Sequence, residues 1–143
     1  MKTNARSIIA ISALALAYLA WKKPAAEVEL RAVKSLVTKG KWKVNLYRDN
    51  GVDETNNYTG YEFQFKPNGT VIASKDESLL SGTWRSAVDG RKPKLYMEFA
   101  SSSHLDELSE DWQITGHESD SLELEDITPG KGGVDYLNLQ KIS

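Results

Sequence analysis

Few side chains in this chain have both the type and the spacing for chemistry. His104 and His117 are its only histidines, and neither lies in a His-x-x-x-His or His-Glu-x-x-His pair that would seat a metal on one helix face. There is no cysteine, which excludes thiolate nucleophiles, cysteine-based zinc sites and disulfides. Serine is abundant but sits in predicted turns, and no Gly-x-Ser-x-Gly elbow is present. Asp49, Asp53 and Glu54 put three carboxylates around Gly51, without the ordered spacing and closing Glu of a calcium loop. The pairs Asp106–Glu107 and Glu110–Asp111 could share acid–base work, but no cleft beside them follows from the sequence, so they are expected to cap and solubilise a short helix. Gly130, Gly132 and Gly133 precede a strand rather than a helix, which is the wrong context for a phosphate loop. These patterns predict no metal, no cofactor and no enzymatic activity.

The elements that would position such residues begin after an atypical N-terminus. Lys2 and Arg6 precede an apolar run from Ile8 to Trp21, and Lys22, Lys23 and Pro24 end it. At 14 residues the run is short for a hydrocarbon layer of about 30 Å, so residues 1–23 are expected to be an export signal or an N-terminal anchor. Ala15 and Ala17 offer a small-x-small cleavage pattern, whereas Tyr18 is bulky for one. The predicted location is the periplasm or cell envelope, without thioether lipidation because Cys is absent. If the segment is retained, Trp21 would help hold the chain at a membrane interface.

Without Lys2, Arg6, Lys22 and Lys23, 14 basic side chains remain against 20 acidic ones. That balance argues against a nucleic-acid partner. Nine of the carboxylates fall between Asp106 and Asp126 and are expected to form a solvated face.

Residues 24–39 form the lead-in. Val28, Leu30, Val33, Leu36 and Val37 make an apolar stripe over a helix at 25–38, with Glu27 and Glu29 early, Lys34 and Lys39 late, and Gly40 available as a left-handed stop. From Trp42 the period becomes two, as in a strand with one buried face. Trp42, Val44 and Leu46 alternate with Lys43, Asn45 and Tyr47; residues 49–57 read as a loop; Tyr61, Phe63 and Phe65 alternate in a second strand. Lys66-Pro67-Asn68-Gly69 is a tight turn and Asp89-Gly90 a hairpin signal. Further strands are expected around Ile72, Trp84, Met97, Trp112, Leu124 and Leu139, with a short Ser103-capped helical turn within 101–110. Eight short strands at hairpin spacing predict an all-β, antiparallel eight-stranded meander barrel over residues 40–143, preceded by the helix; two packed sheets are the alternative.

The predicted inward set comprises the alternating large residues of each strand: Trp42, Val44 and Leu46; Tyr61, Phe63 and Phe65; Ile72; Leu80 and Trp84; Leu95, Met97 and Phe99; Trp112 and Ile114; Leu122 and Leu124; and Leu137 and Leu139. Their volume on short strands favours a solid interior.

Gly40-Lys41-Trp42, the stretch from Gly60 to Phe65, Asn68-Gly69-Thr70, Ser81-Gly82-Thr83-Trp84, the run from Leu105 to Trp112, and that from Gly132 to Leu137 occur in an order that resembles the lipocalin-like domain family of small exported bacterial proteins, within the calycin-type barrels. The resemblance implies a barrel in the cell envelope whose first-strand Trp42 plugs one end. It brings no reaction with it. It leaves two functional expectations. One is a non-enzymatic barrel binding a small apolar molecule through Trp42, Tyr61, Phe63, Trp84, Phe99, Trp112 and Tyr136, with loops 49–57, 101–110 and 129–133 and the rings of Tyr47, Tyr58, Tyr96 and Tyr136 at its mouth. The other is a solid-cored structural or protein-interaction module of the cell envelope, whose protein partner the sequence leaves unidentified.

Overall fold

The computed structural model describes residues 25–127 and 132–143. The expected export segment at 1–23 and residues 129–131 of the last loop lie outside the described residues.

Helix α1 (Ala25–Val37) ends where the sequence supplies its stop: Gly40 adopts φ +76° just beyond it. The carbonyl of Ser143 passes 1.8 Å from where a Cβ on Gly40 would sit and accepts the Lys41 N–H, so only glycine fits there. Val33 and Val37 are the buried residues of the helix, and it packs on two of the strands that follow, at Ser78–Asp89 and Lys92–Glu98.

Among the described residues nine strands follow in chain order: β1 (Trp42–Asp49), β2 (Val52–Asp53), β3 (Glu62–Phe65), β4 (Thr70–Lys75), β5 (Ser78–Asp89), β6 (Lys92–Glu98), β7 (Asp111–His117), β8 (Ser121–Asp126) and β9 (Asp135–Lys141). All pairings are antiparallel and join sequence neighbours except β1 with β3, which passes over β2, and β1 with β9, so eight strands close a barrel and β2 only extends the tip of β1. Closure rules out the two-sheet alternative.

Strand direction alternates, so the connections divide cleanly between two ends. The turns at 66–69, 90–91 and 118–120 share the helix end with α1 and the last residues. The connections at 50–61, 76–77 and 99–110 share the other, the mouth, with residues 127 and 132–134 at the ends of β8 and β9. Loops 49–57 and 101–110, expected to surround a mouth, lie at one end; most of the third, 129–133, lies outside the described residues.

The core runs through the barrel from Val33 and Val37 to Leu105 and Leu108. It departs from the expected inward set at three places. The β1–β9 register shifts between Val44 and Leu46, which turns Tyr47 inward and leaves Leu46 half-buried. In β4, pairing of Phe63 with Ala73 and of Phe65 with Val71 puts Val71 and Ala73 inside in place of Ile72. Leu80 packs against the core but is only partly covered.

Loop 49–57 is also more ordered than expected. β2 folds back on β1, and a 3₁₀ turn (Thr55–Tyr58) carries Tyr58 into the core. The helical turn at 101–110 is a second 3₁₀ segment (His104–Leu108), capped as expected by Ser103, whose Oγ accepts the Leu105 N–H at 3.0 Å. Among the described residues no helix is long and apolar enough to cross a membrane.

Candidate functional site

Of the residues expected to contact a ligand, Trp42, Tyr61, Phe63, Trp84, Phe99 and Trp112 all point into the barrel and are buried; Tyr136 alternates with Leu137 and lies half-buried on the outer wall. The buried rings fill the interior by edge-to-face packing. Phe63 meets Phe99 at 6.4 Å between centroids, and Phe65 meets Trp84 at 5.8 Å.

Each buried indole also donates its N–H to a carbonyl of a closing segment. Trp42 Nε1 donates to Val37 at the end of α1 (3.0 Å), and Trp84 Nε1 to Lys66 in the β3–β4 turn (2.8 Å). Trp112 Nε1 donates to Leu108 in the 3₁₀ segment over the mouth (3.0 Å). A buried indole N–H needs such a partner, and here each partner belongs to the backbone.

The mouth is closed by groups that sequence reasoning assigned to an open rim. Tyr47 and Tyr58 are buried, in contact at 5.1 Å, and both hydroxyls donate to Glu107: Tyr58 to Oε2 (3.2 Å) and Tyr47 to the carbonyl (3.4 Å). Burial, reinforced by nearby carboxylates and, at Tyr58, by the other tyrosine, raises both phenols above their ordinary range. Glu54, whose Oε2 is shut from water, faces Glu107 and Asp49; desolvation first, then the charges of these two carboxylates, raise its carboxyl. Tyr61 hydrogen-bonds His104, and Lys75 lies 5.3 Å above its ring. A depression of about 490 Å³ lies over this end, beside His104 and Glu107. His117 closes β7 at the opposite end, so the two histidines share no site.

The acid run does not form one solvated face. Glu118 and Asp120 lie at the helix end, and Asp126 is 3 % exposed, opposite the equally buried Asp135, whose Oδ1 accepts the Asn50 N–H at 2.8 Å. Carboxylate oxygens of Glu110, Asp111 and Asp126 lie within 4.8 Å of one another, three oxygen ligands of the kind a hard cation takes. Lys94 already brings a positive charge to Asp111 at 2.8 Å, and that contact, with Asp89 adding to it, raises its own pKa against the lowering effect of burial.

The larger concavity is on the outer wall, a groove of about 900 Å³ where β5 and β6 meet the 3₁₀ segment. Its charged lining is four carboxylates, Glu98, Asp106, Glu110 and Asp111, against one guanidinium, Arg85, which stacks 3.7 Å over the Tyr96 ring. Gly82 forms part of its floor: a Cβ there would come 2.5 Å from the Glu98 carbonyl and 2.8 Å from the Phe99 ring.

Filled interior, tethered ends and an acidic wall groove define the class: a closed, eight-stranded antiparallel barrel with a concavity on its outer wall. Among solved structures the chain is similar to the crystal structure of a DUF4847 family protein from Bacteroides vulgatus ATCC 8482, with a TM-score of 0.52 at 18 % identity over 78 % of this chain and 99 % of that one. The likeness is one of fold. No family model matches the chain, and no curated protein matches it.

Proposed function

We propose that this protein is a non-enzymatic, lipocalin-like barrel of the cell envelope that acts as a solid-cored protein-interaction module. The observation that carries this reading is the interior. Trp42, Phe63, Phe65 and Trp112 are essentially unexposed, and three indoles tether the closing segments. A ligand-binding barrel needs several hundred Å³ of internal space. Opening that much here would mean displacing rings that also hold the ends shut, so the small-apolar-ligand expectation is the weaker of the two. The basic start and apolar run of residues 1–23 support export and a membrane-associated N-terminus.

Native mass spectrometry on the full chain, purified from its host's envelope fraction, tests the proposal. The expected spectrum shows the bare polypeptide or a complex with another polypeptide. A stoichiometric small-molecule adduct that disappears on denaturation would sink the solid-core reading, and recovery only from the cytosol would sink the envelope assignment.

A further inference from the structure

The two edges of β5 are used unequally. β4 pairs with it from Ser78 to Thr83, and β6 pairs with it from Thr83 to Asp89. On the β6 side, residues 78–82 have no strand partner among the described residues. The direction of the backbone groups there follows from one bond: the Trp84 N–H donates to the Gly69 carbonyl at 2.9 Å, toward β4. Alternation then turns Ser78, Leu80 and Gly82 toward β4, and turns the N–H and C=O of Leu79 and Ser81 toward the open side.

That edge is exposed and has an apolar marker. Leu79 is 72 % exposed, on the outward face, and Ser81 is exposed beside it. Edges protected against pairing usually carry Lys or Pro at such positions rather than Leu. The wall groove lies alongside: Ser81, Gly82 and Thr83 form one side, and Asp106 and Glu110 contribute to its acidic lining. The β6 ladder ends at Glu98; Phe99 still lies against Gly82, and the groove separates Ser81 from Ala100 and Ser101.

We propose that the 78–82 edge of β5 binds an extended, basic peptide segment of a partner protein as an added strand. Its backbone pairs with Leu79 and Ser81, an apolar side chain covers Leu79, and Lys or Arg side chains reach the acids of the groove. A second copy of the chain is the poorer occupant, because it would bring the same carboxylates against this rim. The inference rests on the interaction-module reading and names its partner chemistry.

The test uses the full-length, ¹⁵N-labelled chain and three blocked decapeptides: alternating Lys–Val, alternating Glu–Val, and Lys–Val with every second amide N-methylated. The Lys–Val peptide is expected to shift the Leu79 and Ser81 amide resonances and to slow their hydrogen exchange about tenfold. Loss of two strand hydrogen bonds should make the N-methylated peptide bind at least about tenfold more weakly. Ser81→Pro, which removes an edge donor at a position where proline is tolerated, should weaken Lys–Val binding by a similar factor. Should that variant not fold, the N-methylated peptide asks the same question of the unaltered chain. Lys–Val binding that perturbs residues away from 78–82 overturns the edge assignment and leaves the interaction reading standing. Equal affinity for Glu–Val overturns the basic partner class. Protection of Leu79 and Ser81 in the free chain overturns the proposal as well: rising with protein concentration it assigns the edge to self-association, and independent of concentration it shows the edge already covered. A small molecule found inside the barrel would instead refute the function on which the proposal rests.

Discussion

If each buried tryptophan ties down one closing segment, then replacing the three by phenylalanine one at a time should loosen three different places. Trp42 is the sharpest case. Its ring is 0 % exposed, its Nε1 donates to Val37 at 3.0 Å, and it pairs in register with both Phe63 and Lys141. Trp42→Phe keeps most of the ring but removes the donor, which costs about 1 kcal/mol for the hydrogen bond plus the void left by the smaller ring. Trp42→Ala removes the whole side chain and should cost about 3–5 kcal/mol, a large fraction of the about 5–15 kcal/mol that holds a domain together. Urea unfolding followed by far-UV circular dichroism gives both values. Native-state hydrogen exchange gives their location. Trp42→Phe should speed exchange in α1, Trp84→Phe in the β3–β4 turn, and Trp112→Phe in the 104–108 segment, each with little effect on the other two. A cost below about 1 kcal/mol for Trp42→Ala would falsify the plug role. Uniform loosening by all three phenylalanine variants would show that the indoles contribute packing alone.

Gly82→Ala should destabilise by about 1–3 kcal/mol, because its Cβ meets the Glu98 carbonyl as well as the Phe99 ring; Phe99→Leu in the same chain should recover only part, since the backbone contact remains, and full recovery in urea midpoints would contradict this. Glu54 has a raised carboxyl in the fold, so its stabilising share is complete below the ordinary Glu value of about 4.3 and is lost as pH rises through the folded value; Glu54→Gln should therefore be more stable than the parent at pH 8 and lose that advantage in acid, and a pH-independent margin would refute the pairing with Glu107. Asp53 has the opposite sign: hydrogen bonds from the Thr55 hydroxyl and N–H lower its carboxyl, so Asp53→Asn should cost stability at pH 7 and progressively less as pH falls through the lowered value. Ultraviolet titration should find Tyr47 and Tyr58 ionising later than the ordinary phenol value of about 10, and Tyr58→Phe should remove one late group; two late groups persisting in that variant would mean the wrong tyrosines were assigned.

What the sequence made legible was whatever depends on local period and turn chemistry. The Val33 and Val37 stripe, the Gly40 stop, the Lys66–Gly69 turn and the alternation through Leu95, Met97 and Phe99 all appear in the fold. What escaped depends on register with a distant strand. Thr70-Val71-Ile72-Ala73 has no alternation of its own, and only pairing with Phe63 and Phe65 decides that Val71 and Ala73 face inward. Leu46 and Tyr47 exchange roles because of an irregularity in a ladder whose partner lies about 90 residues away. Tyr58 is held by Tyr47 and Glu107, neither adjacent in the chain, so a loop was the natural expectation. Asp126 is different, because its signal was present. It continues the phase of Leu122 and Leu124, as Asp135 does that of Leu137 and Leu139, and strict alternation would have buried both. At the groove, Asp106, Glu110 and Asp111 are visible as neighbours in sequence, whereas Ser81, Gly82 and Glu98 join them only through the β5–β6 register.

The strand lengths carry the last step. β5 has 12 residues and β6 has 7, and the β6 ladder on β5 begins only at Thr83. Closing an antiparallel barrel does not require one strand to overrun its neighbour, and full closure is the usual means by which such folds remove their edges. Ladders are also short where β1 meets β3 at Trp42 and Phe63 and where β6 meets β7 over Lys94–Tyr96, but on β5 Leu79 and Ser81 present backbone donors and acceptors, and a leucine side chain, to water. That exposure raises the risk of aggregation and adds nothing to a core sealed by Trp42, Trp84 and Trp112. A feature that costs solubility without serving the fold calls for another use. The unpaired edge meets a groove with an excess of negative charge, and an added strand with basic side chains would pair the backbone, cover the leucine and complement that charge together.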